Sequence, residues 1–194
     1  MTWLVAGLGN PDDQYRRTRH NAGAMVVDLL AERAGERLRK VRFVPADVAE
    51  ARIAGERVLL VRSHRYMNES GPSFASVAKK NSVPPEQVIA VHDEIDLPFG
   101  ALRVKQGGST AGHNGLKSLV SALRSEDFLR VRVGVGRPPG RADPVNYVLK
   151  PFSKEQLPDL PLLLDDAADA VESLIENGLE RTQDWANRKG RGER

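Results

Sequence analysis

The chain has 194 residues, no Cys, and 29 Lys and Arg against 26 Asp and Glu, for a formal net charge of +3. That length supports one domain with a proper core, and the missing thiols exclude thiolate nucleophiles, zinc–thiolate sites and a disulfide framework, as fits the reducing cytoplasm. No stretch is apolar for long enough to span a bilayer and no secretory leader pattern opens the chain; so mild a basicity requires any polyanion to be met by a local patch.

Trp3, Leu4, Val5 and Ala6 form an apolar run without helical period, as expected of a buried strand. It stops at Gly7-Leu8-Gly9, glycines free to take positive φ, and a sharp turn is expected at Gly9. Pro11 biases Asn10 toward an extended backbone, which fixes its carboxamide just past a strand end, where α/β folds keep ligands. Tyr15 and His20 follow, and Met25, Leu29 and Leu30 share one face of a helix expected over 24–34. Gly7-Leu8-Gly9 also opens a dinucleotide fingerprint, but the third glycine position is Asp12, whose carboxylate would face the pyrophosphate. His20 by itself reads as a capping or hydrogen-bonded histidine; only its neighbours can make it a catalyst.

Past an Arg-rich connector over 35–41, strands are expected over 46–53 and 58–61, a hairpin around Gly55-Glu56 whose second strand is apolar throughout and so covered on both faces. The loop it feeds holds Tyr66 and Asn68, the latter beside a helix expected over 72–80 and equally readable as a cap. A third strand, 88–91, leads into His92-Asp93-Glu94-Ile95-Asp96. Carboxylates and an imidazole together suggest a metal, yet His92 and Asp93 point to opposite faces of a strand and no second His has a ligand-like spacing, so no metal or other cofactor is expected. A carboxylate at a strand end is better suited to orienting an imidazole from another loop: Asp93, with Asp96 as the competing choice.

A strand over 101–105 carries Arg103 and Lys105 on one face. Residues 107–115 are the most glycine-dense part of the chain; running into a helix expected over 116–123, they offer backbone donors to a phosphate or a developing oxyanion, or serve as a mobile lid. Ser109 and His113 do not form the strand-to-helix elbow of a serine hydrolase. His113 reads as structural or as support for the site, and Asn114 as a helix cap. Residues 130–136 alternate Arg130, Val131, Arg132, Val133, a half-buried strand whose charges, with Arg103, Lys105, Lys117 and Arg141, make either one basic face or a solvated one. Asp143-Pro144 opens a helical turn through Val148, and a helix follows over 160–178, stopped by Asn177-Gly178. From Arg188 onward apolar residues are missing and disorder is expected, so a single domain is assigned to 1–185 and a basic tail to 186–194.

Separate strand-end loops thus hold Asn10, Asn68 and Asn114, then His20, then Asp93. Carboxamides donate and accept without changing charge and suit peptide and sugar groups, and histidine has the ordinary pKa of a general base near neutrality. Together they describe hydrolysis of an activated carbonyl by a His-activated water. Asp93 would steer the imidazole, and an Asn or backbone amide would stabilise the oxyanion. An ester is the plausible target because its alkoxide leaves more easily than an amine.

The blocks Gly7-Leu8-Gly9-Asn10-Pro11, Thr18-Arg19-His20-Asn21-Ala22-Gly23, Tyr66-Met67-Asn68-Glu69-Ser70-Gly71, His92-Asp93-Glu94-Ile95-Asp96-Leu97-Pro98 and 107–115 resemble those of bacterial peptidyl-tRNA hydrolases, as do Gly134-Val135-Gly136-Arg137-Pro138 and Tyr147-Val148-Leu149. The resemblance covers nearly the whole chain. It implies a monomeric, single-domain α/β hydrolase, a twisted mixed sheet flanked by helices, that acts on peptidyl-tRNA without metal or nucleotide. It further implies that His20 is the catalytic base, that Asp93 stabilises it, and that Asn10 separates N-blocked from free aminoacyl-tRNA. By the same resemblance Tyr15, Tyr66, Asn68 and Asn114 hold the substrate's terminal region, and Arg103, Lys105 and Arg132 clamp the tRNA phosphates. Ser63 and Arg65 depart from the Pro and Thr that many relatives carry there. The competing reading is a non-catalytic tRNA-binding module with His20 as a helix cap; a weaker one is a nucleotide-dependent α/β enzyme.

Overall fold

The computed structural model describes residues 1–190. The first apolar run becomes β1 (Thr2–Gly7), the middle strand of a seven-stranded sheet among the described residues. The others are β2 (Arg39–Lys40), β3 (Ala46–Ile53), β4 (Glu56–Ser63), β5 (Val88–Glu94), β6 (Leu102–Gln106) and β7 (Leu129–Gly134), in the order β2-β3-β4-β1-β5-β7-β6. Pairs β1/β4, β1/β5 and β5/β7 are parallel and the outer pairs antiparallel, so the sheet is mixed, as expected. The parallel strands are apolar in sequence because helices cover both faces. Val5, Ile89 and Val131 face α1 (Ala22–Arg33) and α5 (Leu160–Asn177), whereas Leu4, Ala6 and Ala90 face α2 (Gly71–Lys80) and α3 (Asn114–Leu123). The short α4 (Pro144–Val148) and α6 (Leu179–Ala186) complete the chain.

Several expectations are corrected. Gly7 and Gly9 do not take positive φ. They are needed for space: a Cβ on Gly9 would meet the Asn21 carboxamide at 2.9 Å, because the loop after β1 lies against the start of α1. α3 begins at Asn114, and its cap is His113 rather than Asn114. β7 is not a half-buried strand with a solvated charged face, since Arg130 is 0% exposed and β7 lies between β5 and β6. The two-residue β2 and the helix α6 carry too little apolar pattern to be read from sequence; α6 buries only Thr182 and Ala186. Packed chain also runs past residue 185, because Ala186 is fully buried and Lys189 pairs with Asp166 at 3.3 Å. The last part of the expected tail, 191–194, lies outside the described residues.

Candidate active site

Parallel strands β1, β4 and β5 end on the same edge of the sheet, and the loops leaving them surround a cleft of about 360 Å³. Its floor is set by how α1 starts. A Cβ on Gly23 would run into the Val91 carbonyl, so α1 sits directly on β5. The 3-10 turn Arg19–Asn21 that precedes α1 therefore brings His20 to the end of β5. Asn21 locks this turn to the β1 loop: its Oδ1 accepts from the Asn10 amide at 2.9 Å and its Nδ2 donates to the Asn10 carbonyl at 2.9 Å.

At the end of β5 the Asp93 carboxylate meets two imidazoles, His20 Nδ1 on Oδ2 at 2.8 Å and His113 Nε2 on Oδ1 at 2.8 Å. The two histidines are not equivalent. His113 Nδ1 accepts from the Gly115 and Leu116 amides at 3.1 and 3.3 Å, so it carries no proton and His113 donates Nε2–H to Asp93. Among the described residues His20 has no such donor; it gives Nδ1–H to Asp93, which leaves its Nε2 lone pair for the cleft. Burial opposes a charge on His20, but the adjacent carboxylate outweighs it, first as a charge and then as a hydrogen-bond acceptor, and the net shift is upward. Burial likewise opposes the charge on Asp93, and the two imidazoles together hold its carboxyl well below the usual range.

A third imidazole, His92, is fully enclosed. It donates Nδ1–H to the Asp93 carbonyl at 2.8 Å, and its Nε2 has no partner among the described residues. Burial and the neighbouring His113 hold it down to about 3, so it stays neutral beside the pair.

The cleft also gathers most of the other sequence-derived residues. Asn10 accepts the Met67 amide on Oδ1 at 2.8 Å, which orients the carboxamide and leaves Nδ2 without a partner among the described residues. Asn68 and Asn114 line the cleft with exposed side chains, and Tyr15 meets Tyr66 edge to face at 6.5 Å. Tyr66 donates its hydroxyl to Asp12 at 2.7 Å. Pro144, Val145, Val148 and Leu149 form an apolar wall that the sequence did not reveal.

Geometry bears on each of the alternatives. Asp96 accepts from Arg137 instead of facing an imidazole. Ser109 Oγ accepts from the Ala111 amide at 3.0 Å, while both His113 nitrogens are engaged elsewhere. His20, Asp93 and His113 do bring three ligand-type atoms within 4.8 Å of one another. Those atoms are already joined by hydrogen bonds, so a cation would have to replace both bonds, and His113 has no second free nitrogen to offer.

The cations named for phosphate share one face of β6 and β7 but differ in freedom. Arg103 lies opposite Arg132 and donates to the Leu102, Ala186 and Lys189 carbonyls. Arg132 pairs with Glu94 at 3.0 Å. Among the described residues Lys105 has only the Ser109 carbonyl, at 3.5 Å, and its pKa is lowered first by burial and then by the positive charges of Arg132 and Arg130. Arg130 is the group the sequence concealed: it donates to the Ser109, Gly108 and Glu126 carbonyls at 2.8, 2.9 and 3.3 Å and so ties down the glycine-rich loop.

Comparison with known proteins bears on this site. Residues 4–193 match the family described as Peptidyl-tRNA hydrolase. The chain is 57% identical to the peptidyl-tRNA hydrolase of Frankia alni over 181 residues, 93% of this chain and 91% of that protein. It is 53% identical to that of Nocardia farcinica over 180 residues, 93% of each. Its fold is similar to the crystal structure of peptidyl-tRNA hydrolase from Acinetobacter baumannii, with a TM-score of 0.89 and 32% identity over 96% of this chain and 94% of that one.

Proposed function

The chain belongs to the peptidyl-tRNA hydrolase family and hydrolyses peptidyl-tRNA, and from that premise we propose how its residues do so. His20 is the general base. Its Nε2 takes a proton from a water molecule, whose oxygen attacks the ester carbonyl joining the peptide to the 3′ ribose. The tetrahedral intermediate collapses as the C–O bond to the ribose breaks, and the imidazolium returns the proton to the departing 3′ oxygen. The products are a peptide acid and tRNA with a free 3′ hydroxyl. The observation that carries this reading is the Asp93 carboxylate shared between two histidines, one of them committed through its other nitrogen to backbone amides and the other not.

Asp93 holds His20 in the Nδ1–H tautomer and stabilises the imidazolium as it forms. Asn68 and Asn114, whose side chains make no hydrogen bond among the described residues, are the donors for the developing oxyanion. Asn10 Nδ2 donates to the carbonyl of the blocking group on the amino acid. A free aminoacyl ester carries an ammonium there and offers no acceptor, which is why N-blocked substrates are preferred. Tyr15 and Tyr66 hold the terminal region of the substrate, and Lys105, with Arg103 and Arg132 on the same face, meets tRNA phosphate. The enzyme works without a metal, as a monomer in the cytoplasm, recycling tRNA from stalled translation; no helix among the described residues is long and apolar enough to cross a membrane.

The test is deacylation of N-acetyl-aminoacyl-tRNA beside the free aminoacyl form, with and without EDTA. His20→Ala should retain tRNA binding and lose roughly 10³-fold in kcat, while the chelator leaves the native rate unchanged. A variant as fast as the native protein removes the imidazole from the mechanism. A chelator-sensitive rate returns a metal to the His20, Asp93 and His113 cluster. Bound tRNA with an intact ester leaves only the binding module.

A further inference from the structure

Arg19 immediately precedes His20 and is only 5% exposed, yet the reaction above gives it no task. Its guanidinium carbon lies 3.7 Å from the centroid of the Tyr147 ring and 5.9 Å from that of Phe152. Nη1 donates to the Tyr147 carbonyl at 3.0 Å, and Nε and Nη2 both donate to Gln156 Oε1, at 3.3 and 3.0 Å. The backbone reinforces the junction: the Arg19 amide donates to the Lys150 carbonyl at 3.1 Å, and Thr18 pairs with Pro151 in an isolated antiparallel bridge. A planar, permanently charged fork thus binds the segment carrying His20 to the segment 147–156.

Tyr147 belongs to α4, and α4 with the residue after it supplies the apolar wall of the cleft. Val145 is 65% exposed and Leu149 36%, so apolar surface stands open beside the base. A five-residue helix that buries only Val148 cannot hold its own position; nucleation is costly and there is little packing to offset it. Its placement rests on the Asp143 cap, the Tyr147 hydroxyl on the Val135 carbonyl at 3.2 Å, and Arg19.

The geometry points to Arg19 as a positioning residue that sets the distance between the apolar wall and His20, and through it the affinity for acyl groups with an apolar side chain next to the ester. The kinetic part rests on the hydrolase reading above; the tethering part does not. Arg19→Gln removes the charge and the fork, and Arg19→Lys keeps the charge but not the fork. Both should raise KM for N-acetyl-phenylalanyl-tRNA by about tenfold, with kcat kept within about threefold. KM for N-acetyl-glycyl-tRNA should change little, because glycine has no side chain to meet the wall, and the pH midpoint of kcat should not move. Val145→Ala, at an exposed position that leaves folding intact, should give the same substrate-selective rise, and combining it with Arg19→Lys should add less than the sum of the two. In the free protein, amide hydrogen exchange over 145–149 should quicken in the Arg19 variants while the middle of α1 stays protected.

An unchanged KM for the phenylalanyl substrate, an equal rise for both substrates, a shifted pH midpoint, or native exchange over 145–149 would each overturn the assignment. Should the native protein fail to turn over, the exchange measurement still decides whether Arg19 tethers α4.

Discussion

Asp93 has two oxygens and receives two histidines, and what separates those histidines is the second nitrogen of each. In His113 it accepts from the amides at the start of α3; in His20 it faces the cleft. Only His20 can therefore take a proton from water without breaking a helix cap. Because its pKa lies above the ordinary histidine value, log kcat should fall with decreasing pH through a midpoint above about 6.5. Asp93→Asn should move that midpoint down, since burial then acts alone, and cost on the order of 10³ in kcat; a midpoint that stays put would deny the carboxylate its role. The same shifts enter stability. A raised His20 favours the fold when protonated, a contribution fully present below about 6.5 and lost as pH rises through the folded value. A depressed Asp93 contributes above about 3.9 and ceases to as pH falls through its folded value.

At the scale of elements, the site depends on α1 lying directly on β5. The close approach is made at Gly23, where a methyl group would strike the Val91 carbonyl, backbone that cannot turn aside. Gly23→Ala should therefore lower stability by roughly 3 kcal/mol, measured by urea unfolding, and reduce kcat as well, because the turn carrying His20 is pushed off the end of β5. Unfolding at the native midpoint would mean that α1 has more room than its packing implies. The same dependence on neighbours explains Arg130. Its alternation with Arg132 showed that the two share a face, but the carbonyls that receive Arg130 come from the glycine-rich loop and from Glu126, outside its own strand.

Across the whole molecule, charge near neutrality requires any RNA contact to rest on a local patch, and the one proposed above is the face of β6 and β7 that carries Arg103, Lys105 and Arg132. Arg103 and Arg132 are largely used within the protein, so of these three Lys105 is the one least engaged among the described residues. Lys105→Ala should weaken tRNA binding and reduce the slope of log K against log salt concentration by about one, read from titrations at several ionic strengths. An unaltered slope would assign Lys105 to the solvated surface.

The sequence by itself determined β1, β4 and β5, through apolar runs too short and too unperiodic for helices, β7 through alternation, and the long helix α5 with its stop at Gly178, though not β2. It also marked chemical types that the cleft gathers: Asn10, Asn68 and Asp93 at or just past the ends of apolar strands and Asn114 in the glycine-dense loop are legible because local pattern marks such places, whereas His20, in the turn before α1, is singled out only by its neighbours and by the family resemblance. What only the tertiary structure decided is which groups meet across the chain. Asp93 over Asp96, the burial of Arg130, and Arg19 against Tyr147 each turn on a partner distant in sequence. A hydrogen bond or a ring contact is a property of two positions in space, and periodicity along one segment carries no information about the second.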